Sequence, residues 1–408
     1  MLKHNALAAD ANANLLGVFD GLTGLSRVAV AVSGGSDSVA LLCLAAAWQV
    51  SLHGPKDVVA VTVDHGLRNG SAEEAEQVHA WCRTLRIPHE TLRWMGVKPT
   101  TGIQAKARSA RYDLMSDWCR ANRVPVLMTG HTADDQAETV LMRQARTSSD
   151  RSLAGIWPEN EWRGVKIMRP LLTQRREDLR CYLREMGQGW LEDPSNENDR
   201  FERVRVRKTL GGAADLSVVA GDAQLRVKAL DAALADWLRL HCVVDDYAVL
   251  RFQRSAFEIE KPELQISILS HCLRVAGDGE RPERAVSEGM ARWISAGQSS
   301  RRSGNGAVVS ARRHVIEVMR EPGRIRDRFV KVPDSGQVVF DGRFIVSAPV
   351  GSMVGPMGLP PALKRPKDVP GLAFSAIPMV KLAEGRTVCA VKSNQDGIFA
   401  MLCERFSV

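Results

Sequence analysis

Residues 27–42 read Arg27-Val28-Ala29-Val30-Ala31-Val32-Ser33-Gly34-Gly35-Ser36-Asp37-Ser38-Val39-Ala40-Leu41-Leu42. A short apolar run rich in valine gives way to a small polar turn, and a helical pattern follows from 38 to about 49. The order is strand, tight turn, helix. Two glycines let the backbone turn sharply and approach a ligand. Serine hydroxyls and helix-terminal amides then make the turn an anion site, for phosphate above all. The chain holds neither GxxxxGK[ST] nor GxGxxG, so the turn is not a Walker loop and a dinucleotide fold is disfavoured. Asp37 is the informative residue. A carboxylate beside a polyphosphate repels it unless a cation bridges the two, which points to Asp37 as a Mg²⁺ ligand. The competing reading is a Ser/Asp helix cap after a tight turn.

Outward from that turn, strand and helix patterns alternate through the first two hundred residues. Strands are expected at 57–63, 89–94 and 124–128, and helices at 71–85, 103–122 and 133–146. The strands are near-continuous apolar runs such as Val58-Val59-Ala60-Val61-Thr62-Val63, which implies a parallel sheet covered on both faces. The expected fold is therefore α/β, a doubly wound parallel sheet. After about residue 211 the pattern turns helical, with stretches at 216–241, 262–275 and 282–296. From about 328, short alternating strands appear with Gly/Pro punctuation. The expected division is 1–211 for the α/β catalytic domain, 212–327 for a mostly helical domain and 328–408 for a small β-rich domain.

Composition narrows the class. Of 408 residues, 45% are hydrophobic and 25% charged, as in a soluble globular protein. No apolar run approaches the ~20 residues that span a bilayer. The first residues carry no signal-peptide pattern, so a cytoplasmic protein with no membrane partner is expected. Eight scattered cysteines without a CxxC read as free, mostly buried thiols. The net charge of +8 is uneven: residues 301–331 hold nine Lys/Arg against three acids. That segment suits either an RNA contact or a solvated face.

The turn Ser33-Gly34-Gly35-Ser36-Asp37-Ser38 is similar to the PP-motif of the N-type ATP pyrophosphatases, the PP-loop superfamily. Further segments narrow the resemblance. They are Asp64-His65-Gly66-Leu67-Arg68, Gln104-Ala105-Lys106-Ala107-Arg108 running into Arg111-Tyr112, and Gly130-His131-Thr132-Ala133-Asp134-Asp135-Gln136-Ala137-Glu138-Thr139. Arg169-Pro170-Leu171-Leu172, Trp190-Leu191-Glu192-Asp193-Pro194-Ser195-Asn196 and Phe201-Glu202-Arg203-Val204-Arg205-Val206-Arg207 complete the series. In this order they resemble the tRNA(Ile)-lysidine synthetases over about the first half of the chain. Beyond residue 211 the resemblance is architectural only.

The resemblance implies a two-step reaction on the wobble cytidine of the CAU-anticodon isoleucine tRNA. The base's C2 oxygen attacks the α-phosphate of ATP and pyrophosphate leaves. The ε-amine of free L-lysine then displaces AMP at C2. The first step needs Mg²⁺ and basic side chains to neutralise the phosphates. The second needs a carboxylate or imidazole to accept a proton. The candidates for chemistry are Asp134, Asp135, His131, Glu138, Arg111 and Arg205. Ser33, Gly34, Gly35, Ser36, Asp37, Ser38, Asp64 and His65 are the candidates for ATP, with Asp37 on the metal.

Competing readings stand beside these. Thr132 followed by acids is also a helix-capping arrangement, and the arginines at 203, 205 and 207 also suit an exposed face. The chain departs from the family at Val204, where Asn is usual, and in the loop 146–152, where a glycine-containing loop is usual. The alternative function is another PP-loop adenylating ligase, acting on a different tRNA base or a small molecule.

Overall fold

The protein is described by a computed structural model that covers residues 16–19, 24–51, 57–64, 66, 70–95, 103–145, 149–192, 216–326, 329–358, 365–391 and 399–402. It falls into two compact units, 1–227 and 228–408.

In the first unit, six strands among the described residues form one sheet. They are β1 (Arg27–Ala31), β2 (Asp57–Asp64), β3 (His89–Arg93), β4 (Val126–Thr129), β5 (Glu159–Trp162) and β6 (Val165–Met168), in the order β3-β2-β1-β4-β6-β5. All pairings are parallel except β5 with β6, an antiparallel hairpin at the edge. The helices are α1 (Ser36–Gln49), α2 (Ser71–Leu85), α3 (Ile103–Ala121), α4 (Ala133–Gln144), the short α5 (Asp150–Leu153) and α6 (Arg176–Glu185). The alternation read from the sequence is therefore present, and the doubly wound α/β reading holds. The β5–β6 hairpin is absent from the sequence pattern. It turns through Arg163 and Gly164, both at positive φ (49° and 76°), the combination a tight hairpin turn needs.

Successive strand residues face opposite sides, so both faces must be apolar for a central strand to be buried. Val28 and Val30 of β1 face a cluster with Leu41 and Leu44 of α1 and Leu179 and Leu183 of α6. Ala29 faces the other side, with Tyr112, Met115 and Cys119 of α3 and Leu127 and Ile167. α1 is apolar on most of its circumference because it is clamped between the sheet and α6. Phe19 stacks on Trp48 at its far end, ring centroids 4.5 Å apart.

The second unit holds most of the long helix α7 (Leu216–His241), with α8 (Arg254–Glu258), α9 (Pro262–Ala276) and α10 (Arg284–Ser295). Beside these lies a five-stranded antiparallel sheet that the helical pattern did not reveal: β7 (Val243–Val244), β8 (Leu250–Gln253), β9 (Arg301–Gly304), β10 (Ala307–Ala311) and β11 (Val315–Arg320), ordered β7-β8-β11-β10-β9. The tail is β-rich, as expected. β12 (Val330–Lys331), β15 (Met353–Pro356), β16 (Pro378–Lys381) and β17 (Thr387–Cys389) form one sheet. β13 (Gln337–Phe340), β14 (Phe344–Ser347) and β18 (Phe399–Leu402) form another, and α11 (Gly371–Ser375) lies between β15 and β16 in the chain. One apolar cluster runs from Trp237 and Leu269 through Val309 and Val318 to Phe344, Val354 and Phe374. No helix among the described residues is long and apolar enough to cross a membrane.

Gly130, just past β4, fixes how closely the loops leaving β1 and β4 approach. A Cβ there would lie 2.9 Å from the Asp37 carbonyl oxygen and 3.0 Å from the Ser38 Cα, both main-chain atoms that have nowhere to go. Overpacking of this kind costs about 1–3 kcal/mol. Gly130→Ala should lower unfolding free energy by that amount and displace the start of α1. Denaturant unfolding measures the first effect and amide hydrogen exchange at the start of α1 the second.

Candidate active site

The sheet winds in opposite directions on either side of the β1/β4 pair, so the loops leaving these strands diverge. A crevice opens at their carboxyl ends, where parallel sheets bind ligands. The loop 32–36 enters the crevice from β1, the loop 130–132 from β4, and the segment 169–175 leads from β6 into α6.

The first loop is held by its own serines. The Ser38 hydroxyl donates to the Gly35 carbonyl oxygen at 2.9 Å and accepts from the Ser33 amide at 3.1 Å. Gly35 caps α1 without a side chain of its own. Gly34 adopts φ +90°, and a Cβ there would come within 2.6 Å of Leu191 Cδ1. Its carbonyl oxygen accepts from the Leu191 amide at 2.9 Å, so the Trp190-Leu191-Glu192 stretch closes over the loop.

The second loop starts α4 with a capping box. The Thr132 hydroxyl accepts from the Asp135 amide at 3.4 Å, and Asp135 Oδ2 accepts from the Thr132 amide at 3.0 Å. The capping reading is thus real, and it uses only one oxygen of Asp135. The other, Oδ1, accepts from Arg176 Nη2 at 3.2 Å.

Arg176 gathers the site. Its Nε donates to Asp37 Oδ2 at 2.9 Å, its Nη1 lies 3.6 Å from Glu138 Oε1, and its main-chain amide donates to Asp134 Oδ2 at 2.7 Å. Glu138 is 1% exposed, and Asp37, Asp135 and Arg176 are each about one-sixth exposed. Burial pushes the Asp37 carboxyl up despite the guanidinium beside it. Burial alone would lower the Arg176 pKa, but Asp135, Asp37 and Glu138 together carry it above its ordinary value.

Arg176 is the residue that reading the sequence missed. A local signal existed: Arg175 and Arg176 stand at the cap and first position of α6, where the helix dipole disfavours cations. An arginine kept there needs acids from elsewhere to hold it.

On the α3 side of the crevice the balance is reversed. His131 Nδ1 is 2.9 Å from the Thr129 hydroxyl. Burial, the largest cause, pushes the His131 pKa down to about 3; Asp135 opposes this, while Arg169, Arg108 and Arg111 add to it. Arg169 is buried (8% exposed), donates to the Trp157 carbonyl oxygen at 2.7 Å and is bonded to Tyr112. The Arg108 guanidinium stacks 5.3 Å over the Tyr112 ring. Burial lowers the pKa of both Arg111 and Arg169. The crevice thus presents carboxylates around Arg176 on one side and a cluster of cations on the other.

Asp64 stands at the end of β2. Its Oδ1 accepts from the Gly66 amide at 3.0 Å and from the Ser71 hydroxyl at 2.7 Å, holding the chain between β2 and α2. His65, Arg205 and the whole stretch 193–215 lie outside the described residues, as does Val204.

Residues 7–214 match the PP-loop domain family. Over 335 residues the chain is 37% identical to a tRNA(Ile)-lysidine synthase of Ruegeria pomeroyi, covering 79% of this chain and 77% of that protein. The chain belongs to the tRNA(Ile)-lysidine synthase family. The Rhizobium meliloti member is 34% identical across 79% of this chain and 73% of its own length. The Mesorhizobium japonicum member is 46% identical over 221 residues, 51% of this chain and 48% of that one. The resemblance read from the motifs is thereby shown.

The basic segment 301–331 divides on inspection. Arg320 is 3% exposed and bonded to Asp341 at 2.9 Å and Asp278 at 2.7 Å, so it is a structural ion. Arg312 pairs with Glu317 at 3.0 Å, and Arg324 with Glu321 at 3.9 Å. Arg302 stacks 5.2 Å over Trp293, while Arg301, Arg313 and Arg326 are exposed. Fewer of the arginines are available to a partner than the sequence surplus implies.

Arg176→Met leaves three carboxylates facing one another. Removing one partner of a buried ion cluster costs about 3–5 kcal/mol, so unfolding free energy at neutral pH should fall by that order. A fall below about 1 kcal/mol would show the acids to be solvated. His131, with its folded pKa near 3 against an ordinary 6.5, is held neutral by the fold. Its contribution to stability is therefore present above about pH 6.5 and lost as pH falls toward 3. NMR of the ligand-free protein should show no titration of the His131 ring between about pH 5 and 8.

Proposed function

We propose that this chain joins free L-lysine to C2 of the wobble cytidine in the CAU-anticodon isoleucine tRNA, consuming ATP and releasing AMP and pyrophosphate. The observation that carries the reading is the convergence of Asp37, Asp135 and Glu138, from two separate segments, on the Arg176 guanidinium at the switch point of a PP-loop sheet. Membership of the tRNA(Ile)-lysidine synthase family supports the choice of substrate over that of another adenylating ligase.

The loop 33–38 receives the polyphosphate, its hydroxyls already turned to one another and its helix terminus facing the crevice. Asp37 and Asp135 offer the one or two hard carboxylate oxygens that Mg²⁺ takes beside phosphates. When bound there, Mg²⁺ supplies neutralisation of charge on the polyphosphate. Arg176, beside those carboxylates, has donors that suit the leaving phosphates. The cytidine C2 oxygen forms its bond to the α-phosphorus, and the bond to pyrophosphate breaks. Arg111, with Arg108 and Arg169 nearby and Arg205 from beyond the described residues, balances the charge of the adenylate.

In the second step the lysine ε-ammonium must first lose a proton. Burial lowers the basicity of His131, and the carboxylates of Asp135 and Glu138, which line the same crevice, are assigned the proton. The neutral amine bonds to C2, and AMP leaves with the former C2 oxygen. Asp134 acts through position: by accepting from the Arg176 amide it anchors the start of α6. Asp64 is assigned to ATP together with His65, which lies outside the described residues, and the protein works in the cytoplasm, where its tRNA is. Within the chain, 1–211 carries the chemistry, while 212–327 and 328–408 select the tRNA.

The experiment is mass spectrometry of the unmodified tRNA transcript after incubation with ATP, Mg²⁺ and lysine. A lysine-dependent mass gain is expected, with pyrophosphate released in the presence of the tRNA. Asp37→Ala should abolish pyrophosphate release, and Asp135→Asn should slow lysine addition by ~10²–10⁴-fold. Undiminished Mg²⁺-dependent pyrophosphate release from Asp37→Ala would falsify the reading.

A further inference from the structure

A series of hydrogen bonds runs behind the loop 33–38, from α2 through β3 and β2 to the end of β1. His79 of α2 and His89 at the start of β3 set their Nδ1 atoms 3.2 Å apart, with the ring centroids 5.4 Å apart. His89 Nε2 lies 2.8 Å from the Thr62 hydroxyl of β2, and that hydroxyl donates to the Val32 carbonyl oxygen at 2.8 Å. Val32 is the residue that leads into Ser33-Gly34-Gly35-Ser36-Asp37-Ser38. Thr62 is buried, and both histidines are partly buried.

The Val32 carbonyl gives the series its direction. A carbonyl oxygen only accepts, so the single Thr62 hydroxyl proton points to Val32. Thr62 Oγ1 then accepts from His89, which places a proton on His89 Nε2. Burial first, and then His79, push the His89 pKa down to about 4, with Glu76 opposing, so this ring carries no charge at neutral pH. A neutral imidazole holds one proton. His89 Nδ1 is therefore an acceptor, and His79 Nδ1 is the donor to it. The reverse order, with Thr62 donating to His89, would take the hydroxyl proton away from the Val32 carbonyl.

The same direction continues into the loop. A planar trans peptide points its C=O and its N–H opposite ways. The Val32–Ser33 peptide is thus held at both ends, its oxygen by Thr62 and its amide by Ser38 Oγ at 3.1 Å. Ser38 in turn donates to the Gly35 carbonyl oxygen, whose peptide carries the amide of Ser36, the first residue of α1. From His79 to that amide the donors all point one way, and bonds joined head to tail polarise one another. The series ends at a helix terminus, where the amides are suited to an anion.

We propose that His89 is a positioning residue for ATP: as its Nε2–H tautomer, held by His79, it turns the Thr62 hydroxyl onto the Val32 carbonyl and so fixes the peptide that opens the polyphosphate loop. The assignment rests on the reading of 33–38 as the loop that receives ATP. His89 acts through Thr62 and touches no substrate itself.

The test uses the full chain. NMR of the imidazole nitrogens at neutral pH should show His89 protonated at Nε2 alone and His79 protonated at Nδ1. A proton on His89 Nδ1 overturns the proposal. Calorimetric titration with ATP and Mg²⁺ measures the consequence. Thr62→Val keeps the shape and removes the hydroxyl, and His89→Leu removes the donor behind it. Each should weaken ATP binding about three- to tenfold, the worth of one hydrogen bond. Thr62→Ser and His89→Gln keep the donors and should restore binding to within about twofold of the wild type. Val58→Ala, in the same strand but outside the series, should lower stability and leave ATP affinity constant.

Unfolding curves establish that each variant is folded. If folded Thr62→Val and His89→Leu bind ATP as the wild type does, or if Val58→Ala weakens ATP binding as much as they do, the positioning role is overturned. A wild-type chain that does not bind ATP overturns the reading of the loop, and this assignment with it. Wild-type binding combined with indifferent variants overturns this assignment alone.

Discussion

One guanidinium holds the active crevice together. Arg176 reaches Asp37 on α1 and Asp135 and Glu138 on α4, while its own amide is taken by Asp134. Three carboxylates brought this close and this deep would repel one another strongly, since burial raises the cost of each charge. A single delocalised cation with several donors in a plane satisfies them together, which a lysine point charge would do poorly. The mutual placement of α1, α4 and α6, and with it the shape of the crevice, depends on that cation.

Structure and chemistry share residues here. Asp135 closes the capping box of α4 with one oxygen and presents the other to Arg176. The choice between a helix cap and a functional acid is therefore no choice: the cap fixes the carboxylate and so orients its free oxygen. Asp134 likewise serves the start of α6. Glycines serve the same end by omission, since Gly130 and Gly34 leave room where a methyl group would strike main chain or Leu191. Across the crevice, His131 is kept neutral by burial and by arginines that stack on or bond to Tyr112.

The second unit follows another logic. Its basic surplus is distributed among buried ions, surface pairs and exposed cations. Arg320 bridges Asp278 and Asp341 inside the fold, and Arg343 also bonds to Asp341. Charge counted along the chain treats these cases alike, although only the exposed cations are open to an outside partner.

The sequence by itself determined what depends on neighbours in the chain. Continuous apolar runs fixed the parallel sheet, the serine–glycine turn fixed the loop before α1, and Thr132 with Asp135 fixed the start of α4. In each case the governing interaction spans at most a few residues, so its signature is a local pattern. Even the family could be read there, because its motifs are short and ordered. The tertiary structure alone decided what joins distant segments. That Arg176 would meet Asp37, 139 residues earlier, follows from the winding of the sheet and from no period in the chain. The sheet at 301–320 was hidden because Arg301-Arg302-Ser303-Gly304 carries no apolar alternation, and because β11 closes the sheet by pairing with the distant β8. Whether an arginine is buried or exposed depends on which acids the fold brings to it, and that is settled by packing across the whole unit.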